Sequence, residues 1–366
     1  MPGPTDAGLL ARAAAGDDAA FAVLVGPHQR TVFRHCYRML GSGADAEDAT
    51  QDTLERAWRR LGTYDGSGAF AAWLQRIATN ICLDALRAKR TRIDRASYGP
   101  PTAPGTMPGP PDLELVWVEP VSDVDLHGTG DPQDEVVRRE EISLAFVAAL
   151  QRLAPRQRAA LLLHDVLAFS HAEVGEVLGV STTAVNSLLS RARESVHAAA
   201  GQPQPSISEP RVRQLLERYV RAWQLADIDG FVQLVAEDVR FSMPPLTAWF
   251  DGREAVAAFL ESAVFAPARP HGIRLHAGQC NGQPAFATYE PRGQGRLAAT
   301  GLQLLQLANV DGQPLITALV SYRDPTLAVR CGLPAELPLT PGRKSQPQAR
   351  STRQAPKTAG CQPCEP

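Results

Sequence analysis

A helix-turn-helix is encoded by residues 173–193, which read Glu173-Val-Gly-Glu-Val-Leu-Gly-Val-Ser-Thr-Thr-Ala-Val-Asn-Ser-Leu-Leu-Ser-Arg-Ala-Arg193. Apolar residues at helical spacing surround Gly179 and Ser181, which predicts two helices joined by a left-handed glycine and a capping serine. A helical hairpin inside a core is the alternative. On the side opposite its apolar face, the second helix carries side chains that can bind phosphates and base edges in a major groove. These are Thr182, Thr183, Asn186, Ser187, Ser190, Arg191 and Arg193.

The segments on either side of this motif differ in composition. Residues 134–199 form a helical block that includes the motif, and residues 6–95 read as an earlier series of helices. Residues 96–133 are rich in proline and glycine and predict a linker of extended or disordered chain. Residues 209–325 place helices before strands, and residues 336–366 predict a disordered tail. The expected fold class is multidomain, with two all-α domains followed by an α+β domain.

The composition of the chain limits its compartment and its chemistry. The chain has 366 residues and a formal net charge of −2, so a basic surface must be local. Six cysteines are scattered along it, which fits a reducing cytoplasm. Cys361 and Cys364 form a single C-x-x-C pair, at which we expect no metal. The chain shows neither a signal-peptide pattern nor a membrane-length apolar run. We therefore expect a cytoplasmic protein without membrane contact or cofactor.

An acidic amphipathic helix is predicted from Asp45 to Trp58. Leu54 and Trp58 mark one side of this helix, and carboxylates cover the rest. A solvated helix face is the ordinary interpretation of such a pattern, and a protein-binding face is the alternative. The acidic positions are Asp45, Glu47, Asp48, Asp52 and Glu55.

Aromatic and basic residues alternate directly after the acidic helix. This composition suits unstacked bases held along a phosphate backbone, because rings stack on bases and cations bind phosphates. Packing in a core is the alternative for each aromatic ring. The candidate residues for nucleic-acid binding are Tyr64, Phe70, Trp73, Arg76, Asn80, Arg87 and Arg90.

The two helical blocks together resemble the extracytoplasmic-function sigma factors of bacterial RNA polymerase. In the first block, the resemblance is carried by Asp45-Ala-Glu-Asp-Ala-Thr-Gln-Asp-Thr53 and Phe70-Ala-Ala-Trp-Leu-Gln-Arg-Ile-Ala-Thr-Asn-Ile-Cys-Leu-Asp84. In the second block, it is carried by Leu153-Ala-Pro-Arg-Gln-Arg158 and the helix-turn-helix. The order of the motifs, with a linker between them, makes this resemblance specific. It covers about half of the chain.

This resemblance implies a function and a role for each set of residues. The acidic helix would bind the RNA polymerase core enzyme. The region from Tyr64 onward would bind and melt the minus-ten element of promoter DNA, with a flipped base near Asn80. The helix-turn-helix would read the minus-thirty-five element. The chain would then direct polymerase to promoters and start transcription, with no catalytic residue of its own.

Residues 209–325 resemble the SnoaL-like domains, which have a cone-shaped α+β fold. The matching stretches are Tyr219-Val-Arg-Ala-Trp223, Asp229-Gly-Phe231, Asp238-Val-Arg-Phe-Ser-Met-Pro-Pro245 and Gly252-Arg-Glu-Ala-Val-Ala-Ala-Phe259. Some sigma factors of this kind carry such an extension, and the resemblance implies that it regulates activity. The segment Trp117-Val-Glu-Pro120 resembles a linker motif of those proteins.

A SnoaL-like fold implies a concave pocket and a possible small-molecule ligand. Its candidate lining residues are Trp223, Phe241, Met243, Trp249, His271 and His276. Two other functions stay open on sequence alone. One is a ligand-sensing one-component transcription regulator. The other is an enzyme fused to a DNA-binding module, in which His271 and His276 with Asp238 or Asp251 would perform acid–base chemistry.

Overall fold

The computed structural model describes residues 4–64, 66, 69–88, 99–112, 117–127, 143–199, 205–270, 272–293 and 295–339. Within these ranges, none of the helices is both long enough and apolar enough to cross a membrane. Two groups of helices precede a domain built on one mixed sheet. This arrangement confirms the fold class expected from the sequence.

Four helices form the first helical module. Asp17 caps the second helix by accepting a hydrogen bond from the Ala20 amide (3.0 Å), and Gly41 ends it with φ of 72°. Ser42 caps the third helix, which therefore begins two residues before the predicted Asp45. The helices are α1 (Pro4–Ala14), α2 (Asp18–Leu40), α3 (Gly43–Arg60) and α4 (Phe70–Ala88).

The linker and the second helical module follow. The described part of the linker includes a short helix, α5 (Asp123–His127), and residues 99–112 form neither helix nor strand. Residues 128–142, which cover the start of the predicted helical block 134–199, lie outside the described ranges. The module comprises α6 (Leu144–Gln151), α7 (Pro155–Leu161) with a π-helical turn Leu162–Val166, α8 (His171–Leu178) and α9 (Thr182–Ala199).

The C-terminal domain is a mixed sheet with most of its helices on one face, whereas the last helix packs on the other face. Its helices are α10 (Pro210–Leu225), α11 (Ile228–Val232), α12 (Arg253–Leu260), α13 (Ala266–Ala268) and α14 (Pro325–Arg330). Its strands are β1 (Val235–Ser242), β2 (Trp249–Asp251), β3 (Arg274–Cys280), β4 (Gln283–Gly293), β5 (Arg296–Val310), β6 (Gln313–Tyr322) and β7 (Glu336–Pro338).

The strand order is β2-β1-β6-β5-β4-β3, with β1 parallel to β6 and the other pairs antiparallel. Asn309-Val-Asp311-Gly312 has the composition of a hairpin turn, and Asp311 and Gly312 both have the positive φ that such a turn requires between β5 and β6. Strand β7 pairs with β5, which corrects the tail predicted from residue 336. Leu337 pairs with Leu297 in register, so backbone groups of this segment are satisfied within the sheet, which its composition does not indicate.

Alternating side chains give the sheet two buried faces. On β4, Phe286 packs with the aromatic core under α10–α12, whereas Ala285, Ala287 and Tyr289 enter the core shared with the helical modules. Because the side-chain period of a strand is two, β4 supplies both cores. The outer face of the sheet is thereby buried against the rest of the chain. This contact sets the arrangement of the modules.

The second half of the linker lies between the sheet and α2. The Glu119 amide donates to the Gly41 carbonyl (2.9 Å), and the Tyr322 hydroxyl donates to the Val118 carbonyl (2.7 Å). Val121 packs so closely on Gly43 that a Cβ there would lie 2.9 Å from its Cγ1. Docking of the Trp117–Pro120 segment, which its apolar composition indicates, is thus observed.

Candidate nucleic-acid interface

The helix-turn-helix has the geometry that its sequence predicts. Gly179 has φ of 63°, and Ser181 caps α9 by accepting from the Ala184 amide (3.3 Å). A Cβ on Gly175 would lie 2.7 Å from the Val180 carbonyl oxygen, so the turn requires glycine there. A second cap was not predicted: Ser170 and Glu173 form a capping box at the start of α8.

The predicted polar side chains of α9 form one exposed surface, called here the recognition face. Buried Val185 and Leu189 anchor the opposite side of the helix. Arg193 is fixed, because its guanidinium binds Asp165 through two contacts, Nε–Oδ2 at 3.0 Å and Nη2–Oδ1 at 2.5 Å. The members of the recognition face, all exposed, are Thr182, Thr183, Asn186, Ser187, Ser190, Arg191 and Arg193.

The acidic residues of α3 line its outer side. Small buried residues (Ala46, Ala49, Thr53 and Ala57) pack the inner side, so the carboxylates are directed outward. Asp45 is half-buried in the first turn, where the helix dipole favours a negative charge. Glu55 pairs with Arg59 at 2.5 Å. The exposed acidic residues are Glu47, Asp48, Asp52 and Glu55.

Three predicted aromatic residues form one cluster at the start of α4. Phe70 and Trp73 stack with ring centroids 5.5 Å apart, and Tyr64 approaches them at 5.4 and 5.6 Å. All three rings are half-buried. They therefore pack against one another and still present ring surface to solvent, which combines the two interpretations left open by the sequence.

The polar candidates on α4 differ in their surroundings. Asn80 is exposed one turn after Arg76, and Arg87 pairs with Asp84 at 2.6 Å. The Arg76 guanidinium binds the Glu176 carboxylate of α8 at 3.0 Å, so a predicted DNA contact is held by the helix-turn-helix module. Arg90 lies outside the described residues. The basic-aromatic face is defined here as Tyr64, Phe70, Trp73, Arg76, Asn80 and Arg87.

Three family models match the chain: Sigma-70 region 2 over residues 24–92, Sigma-70 region 4 over residues 143–196 and the SnoaL-like domain over residues 216–313. The ECF RNA polymerase sigma factor SigG of Mycobacterium tuberculosis is 40% identical over 314 residues, which are 85% of this chain and 83% of SigG. The chain belongs to the extracytoplasmic-function (ECF) RNA polymerase sigma factors. It directs the polymerase core enzyme to promoter DNA and starts transcription.

A second relative extends this likeness to the fold. The ECF RNA polymerase sigma factor SigJ of Mycobacterium tuberculosis is 36% identical over 212 residues, which are 56% of this chain and 59% of SigJ. A crystal structure of SigJ superposes with a TM-score of 0.52 at 24% identity, covering 84% of this chain and 98% of that one. The two sigma factors therefore share their fold.

The two helical modules of the sigma factor meet around one buried arginine. Arg158 of α7 is fully buried, and its guanidinium donates to the carbonyls of Met39, Leu150 (2.8 Å) and Leu153 (3.2 Å). Gln151 donates to the Arg38 carbonyl (3.1 Å) beside it. Burial lowers the pKa of Arg158 to about 10, so the side chain is a cation at neutral pH. The sequence marked this residue only as part of a motif.

A hairpin of the C-terminal domain joins the sheet, the linker and the first module. Asn281 is buried in the β3–β4 turn, and its side chain accepts from the Val121 amide (2.9 Å) and donates to the Tyr37 hydroxyl (3.0 Å). The Tyr37 hydroxyl donates to the Glu119 carbonyl (2.8 Å). Sequence reasoning missed this site, although the dipeptide Asn281-Gly282 between apolar runs is a strong hairpin signal.

The same hairpin reaches the second helical module. Gln283, at the start of β4, accepts a hydrogen bond from the Leu144 amide at the beginning of α6 (3.1 Å). Gly282 donates to the Asp123 carboxylate of the linker (2.7 Å). The C-terminal domain therefore contacts both helical modules and the linker within three consecutive residues, Asn281 to Gln283.

The predicted pocket and acid–base candidates are dispersed in the C-terminal domain. Trp223 and Phe241 are buried in the aromatic core rather than lining an open cone. His276 is exposed on β3. Asp251 lies on β2, where it pairs with Arg240, and β2 and β3 are at opposite ends of the sheet. Asp238 is exposed on β1, and His271 lies outside the described residues. The structure does not bring His276 and Asp251 together.

Proposed function

We propose that three faces of this sigma factor each bind a different partner during promoter recognition. Its C-terminal domain holds these faces in an inactive arrangement. The acidic side of α3 binds the polymerase core, the basic-aromatic face binds the opened minus-ten strand, and the recognition face reads the minus-thirty-five element. The contacts of Asn281 and Gln283 with the linker, α2 and α6 carry the proposal of regulation. Such a protein works in the cytoplasm, where it meets polymerase.

The assignment of the polymerase-binding face is supported by uncompensated charge. Asp48 and Asp52 lie one turn apart on α3 and are exposed, so they offer a negatively charged strip to a basic partner. We expect the double substitution Asp48→Lys and Asp52→Lys to abolish binding of purified core polymerase in a pull-down. The matched control, Glu237→Lys with Asp238→Lys on β1, should bind like the wild type. Equal binding by both variants would refute the assignment.

Regulation by the C-terminal domain is tested by removing the Asn281 side chain. Asn281 has φ of 53°, so Asn281→Gly deletes its hydrogen bonds without straining the backbone. Asp311 holds the equivalent position of the β5–β6 hairpin with φ of 50° and is exposed, so Asp311→Gly is a matched control. We expect run-off transcription from the cognate promoter to rise in Asn281→Gly and to stay unchanged in Asp311→Gly.

A truncated chain gives an independent answer to the same question. Ending the chain near residue 201 removes the C-terminal domain and every contact that it makes with the linker. Transcription above that of the full chain supports inhibition by the domain. Loss of transcription by the truncated chain, together with unchanged activity of Asn281→Gly, would show that the domain is required instead.

We propose that the C-terminal domain is a binding module and has no catalytic activity. Two observations support this. Its acid–base candidates His276 and Asp251 lie at opposite edges of the sheet, and aromatic rings such as Trp223 and Phe231 fill its interior. Acid–base catalysis needs both groups within reach of one substrate. Turnover of a small molecule by the purified protein, lost on His276→Ala, would contradict this proposal.

A further inference from the structure

A cavity of about 440 Å³ lies between the linker and the C-terminal domain. Met107 and Pro111 of the linker form one wall, and Met243, Leu246 and Phe259 of the domain form another. Its size is within the range of small-molecule sites in proteins, roughly 300–1,000 Å³. The cavity differs from the predicted cone interior, which aromatic rings occupy, and it uses chain from outside the domain.

The linker is attached to the domain on both sides of this wall. Before it, the Thr102 amide donates to the Trp249 carbonyl (2.7 Å), and the Trp249 indole donates to the Gly99 carbonyl (3.2 Å). After it, the Asp112 amide donates to the Pro245 carbonyl (3.3 Å). Residues 103–111 therefore cross the cavity between two points of attachment to the domain. Anything that binds in the cavity contacts the linker and the domain at once.

The cavity lining is apolar except for one charged residue. Among the described residues that line the cavity, Arg323 is the only one with a charge. The Arg323 amide donates to the Pro244 carbonyl (2.9 Å), which fixes its backbone beside the cavity wall. The remaining lining is aliphatic, aromatic, proline, glycine and methionine, and methionine adapts to ligands of irregular shape. Met107 is 66% exposed, so its side chain is accessible to a ligand that enters the cavity.

We propose that this cavity binds an apolar monocarboxylic acid of medium chain length, with its hydrocarbon body against Met243 and Phe259 and its carboxylate paired with Arg323. The inference builds on the proposed regulatory role of the domain. Because the linker forms part of the site, the ligand binds better to the docked linker than to a released one. By linkage, the ligand then favours the docked and inactive arrangement.

The first test uses decanoate and decanol as probes with the full chain, below their micellar concentrations. We expect saturable binding of decanoate in isothermal titration calorimetry. Decanol should bind at least about tenfold more weakly, because a charge-assisted pair with arginine is lost. Absence of saturable decanoate binding, or equal affinities for the two probes, would overturn the proposal.

Two substitutions localise the site. Ala263 lines the cavity from the turn after α12, so Ala263→Phe fills it and should abolish decanoate binding. Ala258→Phe adds the same ring on the exposed side of α12 and should leave binding unchanged. Arg323→Gln should reduce decanoate affinity to that of decanol, whereas Arg292→Gln on β4 should not. Full decanoate binding by Ala263→Phe would place the ligand elsewhere and refute the site.

Hydrogen exchange tests the coupling to the linker. Decanoate should slow amide exchange in a peptide that covers residues 99–112, where Thr102 and Asp112 donate to the domain. Unchanged or faster exchange with bound decanoate would refute the linker's part in the site. These measurements need no polymerase. Their failure would overturn the ligand proposal and leave the transcription test of Asn281→Gly valid, whereas failure of that test alone would leave a ligand site without a regulatory role.

Discussion

The recognition face on α9 and the basic-aromatic face at α4 both contain asparagine and arginine, but they differ in the contacts that their side chains already make. On α9, Arg193 is the member of the described face that bonds to another element, through Asp165 of its own module. On α4, Arg76 is bound by Glu176 of the other module, and the aromatic rings pack against one another. We therefore expect duplex DNA to reach the recognition face directly, whereas an opened strand has to compete with Glu176 for Arg76.

The largest expected effect comes from breaking the seam between the modules. Arg158→Ala should lower the free energy of unfolding by about 3–5 kcal/mol, because it leaves a cavity and several buried carbonyls without a donor. Urea denaturation measures the loss, and small-angle X-ray scattering should show an expanded chain. Arg156→Ala removes an exposed arginine of the same helix and should change neither quantity. If the two variants were equally stable, the buried arginine would not hold the modules together.

The next effect concerns the recognition face. Asn186→Ala should weaken promoter binding by about 1–3 kcal/mol, because asparagine is suited to a bidentate contact with adenine. Since this face is already exposed, the loss should also appear on duplex DNA that carries only the minus-thirty-five element. Fluorescence anisotropy at fixed salt measures both affinities. Glu194→Ala, exposed on the same helix, is the control, and an identical result for both substitutions would argue against this face.

Acidification should act on the module that carries the basic-aromatic face. His35 of α2 is buried and its Nε2 lies 2.9 Å from the Thr79 hydroxyl of α4, which itself donates to the Gln75 carbonyl (2.8 Å). Thr79 therefore accepts from His35, which fixes the neutral tautomer with hydrogen on Nε2. Burial lowers the pKa of His35 to about 3, from an ordinary value of 6.5.

The direction of the stability change follows from proton binding in the folded and unfolded states. Between about pH 6.5 and pH 3 the unfolded chain takes up a proton that folded His35 does not, so stability present at neutral pH is lost as the pH falls. From about pH 7 to about pH 5.5 the loss is about 1 kcal/mol. Hydrogen exchange of α4 should report it, and His35→Gln should remove that part of the pH dependence. An unchanged pH profile in this variant would assign the effect to other groups.

The smallest effect comes from the ion pair that holds Arg76. Its side chains are 38% and 64% exposed, so Glu176→Gln should change stability by less than about 0.5 kcal/mol. The same change releases Arg76 and should raise the affinity for a single-stranded minus-ten oligonucleotide about twofold. Glu217→Gln, an exposed glutamate of α10, serves as the control. Lower affinity after Glu176→Gln would mean that Glu176 does not compete with the strand.

Local sequence signals determined the elements and the chemistry of the exposed faces. Gly179 with Ser181 predicted the turn and cap of the helix-turn-helix. Few residue types readily adopt a left-handed backbone, and few can accept from an unpaired amide at the start of a helix. The acidic face of α3 was predicted from the spacing of Leu54 and Trp58, whereas the buried side of the helix consists of the small residues Ala46, Ala49, Thr53 and Ala57. The dipeptide Asp311-Gly312 indicates the β5–β6 hairpin for a similarly local reason. These features depend on neighbours within a few residues.

The tertiary structure alone decided which elements meet. Arg158 and Met39 are 119 residues apart, and Tyr37 and Asn281 are 244 apart, so no periodicity or turn signal connects them. The linker was read from its prolines as extended or disordered chain, yet Thr102 and Asp112 anchor it to the C-terminal domain. Which side chains meet across modules depends on how whole surfaces pack together. A sequence pattern predicts which residues form each surface, but it does not predict which other surface packs against it.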